Sequence, residues 1–233
     1  LVTGVQTCAL PISNADAELV YNQLIQPQRK TRSARRSLSG ATPSLSGFSL
    51  LLGLRGKSDV GHHTVFFPED YDDEFDAIFH HKEPVAKPAI YICNPGDSEM
   101  VKNPDSESWF VLINAPRHEP GSGCDWNSPG LKEKYAENII DQMESKGLTI
   151  RSRLEVCEFR TPADLELRTN APGGSIYGTS SNGARSAFLR AKNRSAIQNL
   201  YCVGRSAHPG GGLPLVGISA EIVAEAVEEN AAR

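Results

Sequence analysis

Long apolar runs are missing from this 233-residue chain. None approaches the ~20 residues that a membrane-crossing helix requires. A surplus of positive charge is missing too: 24 Lys and Arg against 28 Asp and Glu leave a net charge of −4. No global basic field therefore points to nucleic acid as a partner. Cysteine is sparse and scattered. Cys8, Cys93, Cys124, Cys157 and Cys202 are odd in number, and no two have the spacing of a metal or redox pair. That suits a reduced, cytoplasmic setting. What remains, 39% hydrophobic and 22% charged, is ordinary globular composition, enough for one good-sized domain or two small ones.

Catalytic signatures are equally scarce. Neither a G-x-S-x-G elbow nor an H-E-x-x-H occurs, so nucleophile-based hydrolysis has no footing. "LLGLRGKS" comes near a phosphate loop, but Leu51 stands where the loop needs a glycine. The glycines at 210–212 run into Leu213, Pro214 and Leu215 instead of completing a G-x-G-x-x-G. Four histidines come as adjacent pairs, His62–His63 and His80–His81. Neighbours on a strand point to opposite faces, and no carboxylate or thiolate completes a three-ligand spacing. The pattern predicts surface or packing histidines and no metal.

Along the chain, "LVTGVQTCALPIS" has neither the basic start nor the continuous apolar core of a signal peptide. It resembles a sequencing adapter read in frame. Residues 1–13 are therefore expected to be an artefact outside the fold, and an N-terminal part of the protein is expected to be missing. Residues 14–45 predict a short helix, begun by Ser13, Asn14 and Asp16, and then a basic linker. That linker reads as a solvated connection or as a patch for anionic lipid head groups.

Residues 46–160 read as strands at Ser46–Leu54, His62–Phe67, "AIYIC" and "SWFVLINAP". One helix carries Phe75, Ile78 and Phe79 on a face; another carries Leu131, Tyr135, Ile139 and Met143 and stops at Gly147. "TIRSRLEVCEF" alternates, with Ile150, Leu154 and Val156 on one side, as a half-buried antiparallel strand does. The expected fold class is α+β with a largely antiparallel sheet. "TPADLELR" begins another short helix, and residues 161–233 form a different kind of unit.

That last unit ends in a buried strand at Leu200–Val203, a turn rich in glycine and proline, and a helix from Val216. Glycines between strand and helix let a ligand come up to the backbone. They also aim free N–H groups at it. A turn that is glycine-rich for structural reasons alone stays open. The lack of reactive side chains favours a cofactor, which brings its own chemistry.

"NLYCVGRSAHPGGGLPLVGISA" resembles the C-terminal flavin-binding signature of bacterial and fungal-type phytoene desaturases. "SNADAELVY", "FSLLLGLRGK", "HHTVFF", "YDDEFDAIF", "AIYICNPG", "SWFVLINAPRHEP" and "FRTPADLELRTNAPGGSIYG" resemble further segments of that family in the same order. The likeness runs from Ser13 to Ala232. It implies a C-terminal fragment of an FAD-dependent oxidoreductase of the amine-oxidase-like superfamily. Residues 46–160 would bind substrate, and residues 161–233 would complete a Rossmann-like FAD-binding domain whose N-terminal part is absent.

The implied reaction is desaturation of a long polyene such as phytoene by an enzyme seated peripherally on a membrane surface. The resemblance puts Gly204 and Arg205 at the ribityl-phosphate portion of FAD, and Gly212, Leu213, Pro214 and Val216 along the isoalloxazine. Arg205 stands where the family has a small or acidic residue. "PGGSIYG" is shared with relatives that isomerise or oxygenate carotenoids, so those outcomes stay open. So does a lipid-binding module without flavin.

Overall fold

The computed structural model describes residues 11–180 and 190–231. In chain order it forms β1 (Ile12–Ser13), α1 (Ala17–Leu19), α2 (Arg32–Ser39), β2 (Ser46–Arg55), β3 (His63–Phe66), α3 (Asp72–Asp76) and β4 (Ile90–Cys93). Then come β5 (Ser106–Ala115), α4 (Leu131–Ser145), β6 (Leu154–Arg160), α5 (Pro162–Thr169), β7 (Tyr201–Cys202) and α6 (Leu213–Ala231). Two compact units result. One is Leu45–Glu166; the other joins the described residues of Leu1–Ser44 and Leu167–Arg233.

The sheet unit has five strands in the order β3-β4-β5-β2-β6, every pair antiparallel. This agrees with the antiparallel α+β expectation. The period-2 pattern explains which face packs. Phe48, Leu50, Leu52 and Leu54 of β2 and Trp109, Val111 and Ile113 of β5 are all buried. Tyr135, Ala136, Ile139, Ile140 and Met143 of α4 join them in one core. Phe48 stacks on Trp126 at 5.5 Å between centroids and meets Tyr135 edge-on at 5.0 Å. Each such side chain contributes about 1.5–3 kcal/mol on burial. Positive-φ glycines bracket α4: Gly130 at +77° before it and Gly147 at +90° after it, where a side chain would be strained.

One alternation is corrected. Only Leu154–Arg160 is strand; Arg151–Arg153 is a 3-10 turn and Ile150 is buried ahead of it. The pairing with β2 slips between Gly53 and Leu54, so Gly53 faces Val156 while Leu54 faces Leu154. This bulge leaves Val156 51% exposed on an edge strand, because one extra residue breaks the two-residue period.

The terminal unit is built differently. Residues 1–10 lie outside the described residues. Ile12 and Ser13, expected to stand outside the fold, pair in parallel with Tyr201 and Cys202. The basic stretch is no plain linker either. Thr31 and Leu38 are buried, and Leu38 packs with Ala17, Val20 and Tyr21. A helical period gathers its few apolar side chains, Ala34 and Leu38, onto one face while Arg29, Lys30, Arg32 and Arg36 remain exposed. Asp16 caps α1, its Oδ1 accepting from the Glu18 amide at 3.0 Å. On α6 the buried positions are Ser219, Val223 and Ala226, and Ile218 is exposed.

Candidate functional site

In the terminal unit, β7 runs into the turn 204–212 and the turn into α6. Gly204 is buried at φ +102°, and a Cβ there would lie 2.3 Å from Asn14 Oδ1. Asn14 thus already fills the space that glycine leaves. The Gly204 amide donates to Ser219 Oγ at 3.1 Å. Ser219 also accepts from Asn193 Nδ2, which donates to the Cys202 and His208 carbonyls as well, at 2.9 to 3.1 Å. One buried amide therefore fixes strand, turn and helix together.

Arg205 is half-buried. Its carbonyl accepts from Arg190 Nη1 at 3.0 Å, and the same guanidinium donates to the carbonyls of Tyr177 and Thr179. Burial lowers the pKa of Arg190 below the usual arginine value, the direction expected when a cation loses its water. Ser206, next in line, accepts from the Ala17 amide at 2.8 Å. Beside it lies Asp16, whose Oδ2 is buried without a hydrogen-bond partner. Its carboxyl is pushed above the ordinary range by burial, against the pull of the Glu18 amide and the Arg205 charge.

Around the helix start the character changes. Gly211 packs on Tyr177: an added Cβ would sit 2.2 Å from its ring. At Gly212, φ +97°, an added Cβ would meet nothing within 4 Å, and the Gly212 carbonyl accepts from the Val216 amide at 2.9 Å. Leu213 is 90% exposed, with Pro214, Leu215 and Ile218 also exposed and Val216 partly so. An apolar, uncovered first turn thus stands at the positive end of a 19-residue helix.

The structure therefore gathers all six predicted positions in one unit and divides them. Gly204 and Arg205 join the polar network; Gly212, Leu213, Pro214 and Val216 form the open turn. Asn14, Asp16, Tyr177, Arg190 and Ser219 were missed as site residues. Asn14, Asp16, Tyr177 and Ser219 lie in segments that carry the family likeness, but no local pattern links them, since Ala17 and Ser206 meet across 189 residues of sequence.

The sheet unit holds two further features. Arg153 Nη2 meets Glu107 Oε2 at 2.7 Å, and Glu107 also accepts from Ser58 and Asn94. Burial opposes ionisation, yet Arg153, Ser58 and Asn94 hold Glu107 below the usual carboxylate range. A 540 Å³ cavity lies beside this pair, lined by Lys57, Ser58, Thr64, Trp109 and Arg153 among others. On the sheet face away from α4, Val65, Phe110, Leu51 and Val156 are 37 to 51% exposed. There a 280 Å³ cavity is lined by Leu51, Gly53, Met100 and Val156 with their neighbours.

The expectation for His62 and His63 is corrected in one respect. His62 sits at a bend before β3, outside the strand, so strand alternation does not separate the rings. Their centroids are 4.4 Å apart.

No protein-family model matches the chain. It is 32% identical over 240 residues to a 1-hydroxycarotenoid 3,4-desaturase of a Flavobacterium species, covering 97% of this chain and 46% of the relative. It is 31% identical over 224 residues to a lycopene-forming phytoene desaturase of a Paracoccus species, covering 94% and 44%. A 4,4'-diapolycopene oxygenase of a Methylomonas species is 28% identical over 238 residues, covering 95% and 47%. The chain spans a little under half the length of these curated relatives. Among solved structures, an oxidoreductase from Methanosarcina mazei shares the fold with a TM-score of 0.52 at 12% identity, over 92% of this chain and 42% of that one.

Proposed function

The chain belongs to the carotenoid desaturase family, and from that premise we propose that it forms the C-terminal part of an FAD-dependent enzyme that desaturates a carotenoid precursor such as phytoene. The observation that carries the flavin reading is the start of α6. An uncovered apolar turn, a glycine facing open space and the N-terminus of a 19-residue helix meet there. The residues suit the group. Gly212 leaves the turn open to a flat ring, and Asp16 Oδ2 is buried without a hydrogen-bond partner.

When bound, the flavin supplies the hydride acceptor. Leu213, Leu215 and Ile218 exclude water from the ring, and Pro214 and Val216 hold the turn in helical form. The N-terminus of α6 stabilises negative charge arriving near it by about 1–2 kcal/mol in a partly buried geometry. Arg205 offers a cation to the phosphate portion, placed by the grip of Arg190 on its carbonyl. Gly204 keeps the preceding backbone against Asn14.

The substrate belongs on the sheet unit. Val65, Phe110, Leu51 and Val156 present an apolar face, supporting an occupant that is long and apolar. Among the described residues no helix is long and apolar enough to cross a membrane. A cytoplasmic enzyme that takes its polyene from lipid would do so from the membrane surface. The exposed cations of α2 suit that approach. Carotenoid oxygenation is the second reading, favoured by the 28% identity to the Methylomonas oxygenase.

Two substitutions in the complete protein test the site. Gly212→Val obstructs the ring and strains a positive φ, so it abolishes bound flavin absorbance. Leu213→Asp changes a residue exposed in the fold and leaves folding intact, yet it too lowers flavin content. Full flavin loading in both variants refutes the assignment. Product masses from phytoene then separate the chemistries: loss of two hydrogens per step for desaturation, gain of oxygen for oxygenation, no change for isomerisation. The 233-residue chain alone is expected to bind FAD weakly; stoichiometric flavin in the purified chain would overturn that.

A further inference from the structure

At one end of β3 and β4, imidazoles and a thiol converge that the flavin reading does not use. His63 and Cys93 are directly opposed across the antiparallel pair, so the pleat puts both on one face. His62, at the bend, keeps its carbonyl in the ladder, accepting from the Asn94 amide at 2.9 Å. Its ring is free to turn toward that of His63. One ligand atom each from His62, His63 and Cys93 lies within 4.8 Å of the other two.

From this geometry we propose that His62, His63 and Cys93 form a binding site for a divalent ion of the zinc type, with water in the fourth position. Two imidazoles and one thiolate are a donor set that zinc accepts in three-ligand sites. Tetrahedral bonds of about 2.0–2.3 Å require donor atoms about 3.3–3.6 Å apart, so the side chains close by about 1 Å. Both histidines are exposed and Cys93 is partly so, which leaves them free to make that movement. The Tyr91 hydroxyl, 2.8 Å from His63 Nδ1, steadies the ring, as outer partners of metal-bound imidazoles do.

On binding, the sulfur–metal bond forms as the Cys93 thiol gives its proton to solvent; nothing is oxidised or reduced. The ion ties the outermost strand of the sheet to its neighbour where β3 is only four residues long. Other thiols compete little. Burial pushes Cys124 up to about 12 and Cys202 up to about 11, leaving exposed Cys157 and Cys8 to be removed as a precaution.

The test uses the 233-residue chain carrying Cys8→Ser and Cys157→Ser, stripped with chelator. Zinc chloride titrated by calorimetry is expected to show one site. Cys93→Ser, His62→Ala and His63→Ala should each raise Kd by at least about tenfold with unchanged circular dichroism. Cobalt(II) in place of zinc should give a thiolate charge-transfer band that disappears in Cys93→Ser. Affinity unchanged by any one of the three substitutions, or a charge-transfer band that is absent or survives Cys93→Ser, overturns the site.

Discussion

The two units are held together by different forces. In the sheet unit a single apolar core runs from Phe48 through Trp126 to Ile150, and strands that follow one another in sequence often pair. In the terminal unit the apolar clusters are small. Its interior is stitched by Asn193, Arg190 and Ser219 within the C-terminal segment and by Ser206, which ties that segment to Ala17 near the other end of the chain. A sheet on an apolar core is stable whatever its surface does. A polar lattice fixes main-chain positions closely, as a binding site requires, but each missing partner leaves a buried group unsatisfied.

Trp126→Ala should break that contrast most sharply. Trp126 is fully buried, stacks on Phe48 and donates to the Pro116 carbonyl at 2.9 Å, so its loss should cost about 3–5 kcal/mol. Denaturant unfolding followed by the fluorescence of Trp109 reads this, since both tryptophans lie in the sheet unit. Glu107→Ala comes next, at about 3 kcal/mol, because it strands the Arg153 charge. The same pair sets an acid limit. With its folded pKa lowered, Glu107 contributes fully above the ordinary carboxylate value. That stability drains away as pH falls below it toward the folded value. In Glu107→Gln the fluorescence midpoint should therefore lose part of its dependence on acid pH.

In the terminal unit, Asn193→Ala is expected to cost about 1–3 kcal/mol, seen in helical circular dichroism with the fluorescence transition unmoved. A shift in both signals would mean that the two units do not respond separately. Smallest of all, Leu213→Ser should alter stability by no more than about 0.5 kcal/mol, since the side chain touches little in the fold. A larger loss would place Leu213 in packing instead of at an open site.

Much of the sheet unit was legible because its pattern is local. Alternation from Phe48 to Leu54 and the four-residue rhythm from Leu131 to Met143 each name a buried face without reference to the rest of the chain. β6 was legible as an antiparallel strand, but its start and its inward face were not, since a bulge opposite Gly53 depends on the partner strand and leaves no mark in composition. α2 was hidden by its arginines, which stay in water while only Leu38 and its neighbours are buried. The histidine pair was misread through the assumption that both belong to the strand. At the glycine-rich turn the general idea of close backbone approach was readable. The partners were not: Asn14 against Gly204 and the Tyr177 ring against Gly211 come from distant segments.

By itself the sequence determined the strands β2 to β5, helix α4 with its buried face, and the kinship with carotenoid desaturases, because periodicity and motif are properties of neighbouring residues. Only the tertiary structure decided which glycine has its space already filled by a protein atom and which one faces open space. It alone set His62 beside His63 and Cys93 as well. Such choices depend on distances between residues that the chain brings together only after it has folded.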